Sequence, residues 1–240
     1  MKKINLFLVF VSLFFVACKK QTLNQLNISF NIPVPCLQHT DDPSLRSYDC
    51  DSLIAINYTG NHCGFISLSI KNYWIYEDSF FNNGVFVKVQ NDTLQFNKNY
   101  QTTTDKLIWW EGSIDIGLPA RLYANHQGIY QLERRLFTGC TWDANKEFIV
   151  PAGDSAKYLT RFEDIAAQGR SVKLTEIIST PAGDFSDCIF FEKYARNYRK
   201  DQVIIKPGIG VVKYIREISL MGHPVLKLHQ VSTLKEFYLQ

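Results

Sequence analysis

The stretch from Leu174 to Ile218 constrains this chain more than any other, because its punctuation leaves little choice of fold. Pro181 and Gly183 end one apolar run, and Pro207, Gly208 and Gly210 precede another. A proline ring presets φ for the second position of a turn, and glycine supplies the positive φ that the third position of a type II turn requires. The segments Val172–Ser179, Cys188–Ala195 and Val211–Leu220 therefore read as strands joined by tight turns, which pair antiparallel.

The rest of the chain repeats the pattern. Between Phe65 and Tyr76, Ile66, Leu68 and Ile70 alternate with Ser67, Ser69 and Lys71, which predicts a half-buried strand, and Trp74 and Tyr76 continue its apolar face into the core. Asn82-Asn83-Gly84 predicts a hairpin turn. Val85–Val89 and Thr93–Phe96 predict a short pair around Asn91-Asp92, and Lys106–Glu111, Ala120–Asn125 and Gly128–Phe137 predict further strands. Helical spacing recurs in Asp154–Arg170, where Leu159, Phe162, Ile165 and Ala166 follow a capping Asp154 or Ser155, so a short helix competes with a strand there. Aromatic residues make up 14% of the chain, which suits a β-rich core. The expected fold is mainly β: an antiparallel, strongly curved sheet or sandwich with at most one or two short helices.

Residues 1–17 read as a targeting segment. Lys2 and Lys3 precede a largely apolar run, Ile4 to Val16, too short to cross a bilayer, which takes about twenty residues. Phe15-Val16-Ala17-Cys18 is similar to the lipobox of bacterial lipoproteins, with Phe15 where leucine is usual. That resemblance implies that Cys18 is thioether-linked to diacylglycerol, carries palmitate-type acyl chains and becomes the new N-terminus. At about 0.8 kcal/mol per buried methylene, two or more chains exceed the threshold for stable anchoring. Lys19 and Lys20 supply neither acidic retention nor acidic surface-export signals, so a periplasm-facing outer-membrane lipoprotein is expected. Residues 18–64 then read as a tether and N-terminal extension with a cysteine loop, and residues 65–240 as the β-rich domain.

The block Pro-Ala-Gly-x-Phe-x-x-Cys from Pro181 to Cys188, followed by Pro-Gly-Ile-Gly-Val-Val-Lys from Pro207 to Lys213, resembles a group of Bacteroidetes cell-envelope lipoproteins. Leu68 to Ser79, with its Trp-x-Tyr pair, is similar to the strand with which those domains open. The resemblance runs from about Phe65 to the C-terminus and implies a fold; its motifs are turns and core aromatics, so it implies no activity.

Cys36 and Cys50 flank a polar loop. If the runs around them pair as a hairpin, a bridge between them closes about fifteen residues, worth roughly 3 kcal/mol in an oxidising compartment. Pairing Cys50 with Cys63 fares worse, since a hairpin register separates them by about 20 Å. With Cys18 lipidated, five cysteines remain, so at least one stays free; Cys188, between Phe185 and Phe190, is the expected one. A zinc set drawn from Cys36, His39, Cys50, His62 and Cys63 matches no finger spacing, and no metal or other cofactor is expected.

The formal net charge of +3 falls to +1 without Lys2 and Lys3, which argues against nucleic acid as a partner. Gly153-Asp154-Ser155 is similar to the nucleophile block of GDS-type hydrolases, but no Asp-x-x-His follows, and no elbow, zincin or phosphate-loop motif occurs. No enzyme is expected. Lys193, Arg196, Arg199 and Lys200, interleaved with Tyr194 and Tyr198, read as a solvated hairpin end, or as a contact for lipid head groups or acidic glycans. Adjacent Trp109 and Trp110 must point to opposite faces of a strand, so one of them is expected to be exposed as a ligand contact. Ser52, Thr93 and Ser155 each sit in an Asp-Ser/Thr-apolar triplet that resembles the O-glycosylation acceptor of exported Bacteroidetes proteins. Two functions remain: a lipid-anchored module that binds an envelope protein or a glycan, and a lipid or lipoprotein carrier with an apolar half-barrel cavity. They differ in whether Trp74, Tyr76, Phe190 and their neighbours fill the concave face.

Overall fold

The computed structural model describes residues 36–38, 40–135, 139–219 and 224–240, with the backbone alone for 36–38. In chain order the strands are β1 (Cys36–Gln38), β2 (Ser47–Asp49), β3 (Leu53–Ile56), β4 (Asn61–Cys63), β5 (Tyr73–Asn82), β6 (Val85–Gln95), β7 (Lys98–Thr102), β8 (Ile108–Glu111), β9 (Arg121–Asn125), β10 (Gly128–Arg135), β11 (Thr141–Ile149), β12 (Ser155–Phe162), β13 (Ile165–Lys173), β14 (Ile178–Thr180), β15 (Gly183–Phe185), β16 (Ile189–Ala195), β17 (Arg199–Lys206), β18 (Gly210–Ser219) and β19 (Leu226–Tyr238). They form a seven-stranded sheet ordered β2-β11-β10-β9-β8-β7-β3 and an eight-stranded sheet ordered β12-β13-β16-β17-β18-β19-β5-β6. β1 and β4 pair in parallel, and β14 and β15 make a small hairpin.

Helical structure among the described residues is confined to one 3-10 turn, Cys50–Ser52, which joins β2 to β3. Those two strands are opposite edges of the seven-stranded sheet, so the sheet curls until its edges nearly meet. At the seam, the Thr103 N–H donates to the Ser52 carbonyl at 2.8 Å and the Cys50 N–H to the Cys140 carbonyl at 3.1 Å. The mainly β expectation holds, in the form of a nearly closed barrel with a second curved sheet on its outside.

Closure gives the seven-stranded sheet two covered faces. Inside, Tyr48, Leu107, Trp109, Tyr123, Tyr130 and Leu132 pack on one another. Outside, Trp110, Leu122, Ile129 and Phe148 share a core with Trp74, Tyr76, Phe191, Val203 and Leu234 of the eight-stranded sheet. Trp109 and Trp110 point opposite ways, as adjacent strand residues must, yet both are 0% exposed. The expected exposed tryptophan assumed a sheet covered on one face only. Trp110 Nε1–H donates to His62 Nδ1 at 3.0 Å.

The disulfide expectation is corrected. Cys50 bonds to Cys140, not to Cys36. β2 lies beside β11 with Asp49 opposite Thr141, so Cys50 and Cys140 are the next pair along that ladder, 5.3 Å apart at Cα. Cys63 is disulfide-bonded as well, and Cys188 is a free, fully buried thiol.

Other corrections follow from long-range pairing. Asp154–Arg170 contains no helix: β12 and β13 form a hairpin turning at Glu163-Asp164, with Tyr158 covering Gly169 across the pair. Leu159, one of the helically spaced residues, is 87% exposed. Phe65–Ile70 is not a strand; it bends, with Phe65, Ile66 and Leu68 buried in the shared core and Leu68 bridging His62, and β5 starts at Tyr73. Val85–Gln95 is one continuous strand where two were expected. Val172–Ser179 is divided between β13 and β14. The β-rich unit begins before Phe65, since β2 and β3 are edge strands of the barrel. The turn readings hold: Asn83 and Gly84 have φ of +52° and +80°, and Gly208 has φ of +81°.

Candidate functional site

On β16 the residues Ile189, Phe191, Lys193 and Ala195 are buried in alternation, and on β17 Asp201, Val203 and Ile205 are. An apolar alternation therefore runs into ions that still point inward between the sheets. Lys193 and Arg199 were read from sequence as a solvated hairpin end; Lys193 is 7% exposed and Arg199 is half-buried. The omission was β17 itself, whose inward positions begin with the charged pair Arg199 and Asp201.

A bulge supplies the facing carboxylate. Ile129 of β10 pairs with Phe148 and Tyr130 with Lys146, which leaves Glu147 of β11 as the extra residue. Bulges re-aim side chains, and here Glu147 and Phe148 are both buried between the sheets. Lys193 Nζ meets Glu147 Oε1 at 2.5 Å, and Thr160 Oγ1 donates to Glu147 Oε2 at 3.1 Å. Lys193 Nζ also lies 4.3 Å from the centre of the Phe162 ring, and Arg199 Cζ lies 5.0 Å from it.

Arg199 grips Asp201 with two parallel bonds, Nε to Oδ1 at 2.8 Å and Nη2 to Oδ2 at 2.6 Å. Arg216 on β18 reaches Asp115 Oδ2 through Nη2 at 2.5 Å and the Tyr214 hydroxyl through Nε at 2.5 Å. Asp115 belongs to the loop between β8 and β9, which lies flat on the eight-stranded sheet because Gly117, φ +79°, has no Cβ; one placed there would sit 2.6 Å from the Tyr214 ring. Burial alone favours the neutral form of both partners. Burial is the largest single influence on Asp115, but the Arg216 charge and hydrogen bond, the Gly117 N–H and the Arg199 charge together outweigh it and hold the carboxyl below the usual carboxylate range. On Arg199 the hydrogen bond and charge of Asp201, with Tyr214 and Asp115, likewise outweigh burial and hold it above its ordinary value.

Asp115, Glu147, Phe162, Lys193, Arg199 and Asp201 line a cleft of 420 Å³, with Arg216 behind Asp115. The lining carries two cations, Lys193 and Arg199, each paired with a carboxylate, and Glu163 and Asp115 add two further carboxylates, so the wall is acidic on balance; Tyr198 stands edge-on to Phe162 with ring centres 5.9 Å apart. The arrangement offers paired donors and acceptors beside aromatic carbon. Among the described residues lining it there is no cysteine or histidine.

The polar strip continues toward β6. Asp78 on β5 is fully buried beside Asp92, Gln230 and Ser232. Burial pushes the Asp78 carboxyl up to about 6, with hydrogen bonding from Ser232 opposing the shift and Asp92 adding to it. Its Oδ1 has no hydrogen-bond partner among the described residues.

The remaining expected sites scatter. Cys18, His39 and His223 lie outside the described residues. Ser52 is partly exposed, and Thr93 and Ser155 are exposed on the edge strands β6 and β12. Arg196 is exposed in the β16–β17 turn, and Lys200 pairs with Glu217 at 2.7 Å. Of the sequence-predicted groups, the cleft takes only Lys193, Arg199 and Tyr198; Asp115, Glu147, Phe162, Glu163 and Asp201 join them.

No protein-family model and no curated protein matches this chain. Among solved structures, a chain from Parabacteroides distasonis ATCC 8503 assigned as a lipoprotein aligns over 73% of this chain and 99% of its own, with 13% identity and a TM-score of 0.35. A score that low carries no argument about fold or function.

Proposed function

We propose that this chain is a non-enzymatic, lipid-anchored protein of the cell envelope whose β module binds a glycan, or a similarly polar face of a partner protein, in the cleft between its sheets. The observation that carries the reading is the placement of Lys193, Arg199 and Asp201 at inward strand positions facing an open 420 Å³ space. Sites of this size that combine aromatic carbon with a few converging polar groups recognise small polar units. Paired cations and an excess of carboxylate in the lining favour a neutral, hydroxyl-rich ligand over an anion.

The carrier alternative needs an unfilled apolar concavity. Trp109, Tyr123 and Tyr130 occupy the barrel interior, and Trp74 and Tyr76 occupy the inter-sheet core, which weighs against that reading. Phe190 was expected among the filling residues; it lies outward under Arg170, 5.5 Å from its ring centre, and Phe191 takes the inner position. The anchor rests on the sequence around Cys18, and the outer membrane, facing the periplasm, is the proposed location.

Binding should be measured on an array of envelope glycans and by capture from solubilised outer membranes. The double variant Arg199→Met/Asp201→Leu removes a pair without leaving either partner alone, and it should lose binding at least about tenfold while keeping its fold. Unchanged binding in that variant, or co-purification of lipid with the wild type, would overturn the cleft. Radiolabelled palmitate should enter the wild type and not Cys18→Ser; labelling of both would remove the anchor.

A further inference from the structure

The β5–β6 hairpin ends in a bare apolar tip. Val85, Phe86, Val87 and Val89 are 69, 57, 57 and 50% exposed, although successive strand residues point to opposite faces, so neither face of the tip is covered. β6 is also an edge of its sheet. The beginning of β19 lies at the same end: Gln230 pairs with Phe80, and Lys227 Cδ is 4.0 Å from where a Cβ on Gly84 would sit. Val225, just before β19, is 59% exposed. Residues 79–90 and 224–234 contain Lys88 and Lys227 and no aspartate or glutamate.

We propose that this tip docks into the interfacial layer of an anionic lipid bilayer, as a second membrane contact beyond the acyl anchor. A protein partner covers one face of a hairpin, whereas lipid surrounds both, which matches a tip bare on two sides. Apolar side chains then enter the acyl boundary while the two lysines meet anionic head groups; the carboxylate across the ladder from this end of β19, Glu217 opposite Leu228, is paired with Lys200 at 2.7 Å. Lys88 already lies along apolar surface, its Nζ 5.1 Å from the Phe80 ring centre, and it donates to Gln90 Oε1 at 2.6 Å. The unpaired backbone of the β6 edge sets the depth: such groups are not tolerated in hydrocarbon, so insertion stops where water still reaches, about 5–10 Å in.

The idea rests on the anchored reading for its geometry. Residues 19–35, at about 3.3–3.6 Å each, span at most about 60 Å, so an anchor at Cys18 does not by itself fix which face of the module meets the bilayer. An environment-sensitive dye on Val87→Cys in the full lipidated chain tests it; Cys50, Cys140 and Cys63 are disulfide-bonded and Cys188 is buried, and the signal of the wild type treated with the same dye, which reports any label at Cys36, is subtracted. On vesicles of phosphatidylethanolamine and phosphatidylglycerol the dye should shift to the blue and be quenched by shallow spin-labelled acyl chains. The same dye on Leu159→Cys, at the opposite edge of the sheet, should do neither. Adding Phe86→Ser should abolish the shift, and because Phe86 is exposed, the fold should be kept. A dye that stays in water overturns the proposal, as does a blue shift without lipid quenching accompanied by a doubled mass, the sign of two copies pairing through β6. The label reads the tip and palmitate incorporation reads the anchor: failure of the anchor shows as loss of palmitate alone, and failure of the tip as loss of quenching alone.

Discussion

The inner face of the eight-stranded sheet is apolar over one half and charged over the other. Toward the Pro207 turn, β16 and β17 present Phe191, Val203 and Ile205 next to Trp74; further along the same strands they present Lys193, Asp201 and Arg199. Backbone, partner sheet and packing layer are shared, so the contrast isolates side-chain chemistry. Burying apolar area contributes about 25 cal/mol per Å². Burying ions returns at best their own desolvation penalty, and apolar replacement of a buried pair is often neutral or stabilising. Stability is therefore concentrated in one half. The charged half is more than a fold requires, and that excess is the ground for the binding role proposed for the cleft.

The comparison can be broken most directly at Trp74, whose Nε1–H donates to the Ile209 carbonyl at 2.9 Å from full burial. Trp74→Ala should cost about 4 kcal/mol in urea unfolding; a loss below about 1 kcal/mol would mean the apolar half does not hold the sheets together. In the charged half, Lys193→Ala strands Glu147 and should cost about 3 kcal/mol, whereas Lys193→Met with Glu147→Leu should return to within about 1 kcal/mol of wild type. A double variant as unstable as the single would place real stability in the pair and erase the distinction.

Asp78 sharpens the contrast through pH. Its folded pKa, about 6, lies above the ordinary carboxylate value, so its contribution to stability is fully present below about pH 4 and is lost as pH rises through 6. Asp78→Asn does not titrate, and it should gain about 2 kcal/mol on wild type between pH 4 and pH 8. Melting curves with a gap independent of pH would refute this. The smallest effect is expected at Gly208, at the apolar end. Its φ is +81° and a Cβ there would meet nothing within 4 Å, so Gly208→Val carries backbone strain alone, about 1 kcal/mol. An unchanged melting temperature would show that the turn relaxes.

Local chemistry was legible where a few adjacent residues decide the conformation. Asn83-Gly84 and Pro207-Gly208 form the turns their residue types require, and Trp74, Tyr76 and Cys188 are buried. What stayed hidden depends on which distant strand becomes a neighbour. No spacing rule places β2 beside β11, so the partner of Cys50 was invisible at a sequence separation of 90. The Trp109–Trp110 pair was misjudged, one of the two being expected at the surface, because a sheet that curls on itself covers both faces. Lys193, Arg199 and Asp201 did leave a trace: period-2 alternation with Phe191, Val203 and Ile205 continues straight through them. Reading charge as an end of the strand concealed it. The bulge that turns Glu147 inward had no such trace.

β19 pairs with β18 on one side and β5 on the other, and Tyr73 stacks on Tyr238 with ring centres 5.8 Å apart. Until β19 arrives, the eight-stranded sheet exists only as two pieces, β5–β6 and β12 through β18. In a chain that emerges N-terminus first, both pieces wait with open edges while the strand that joins them is still being made or exported. Loop entropy is lost before such distant contacts reward it, so this step is slow, and unpaired edges are the sites where chains mispair. Molecules with this strand order depend on whatever shields nascent chains for the interval before their C-terminal strand docks.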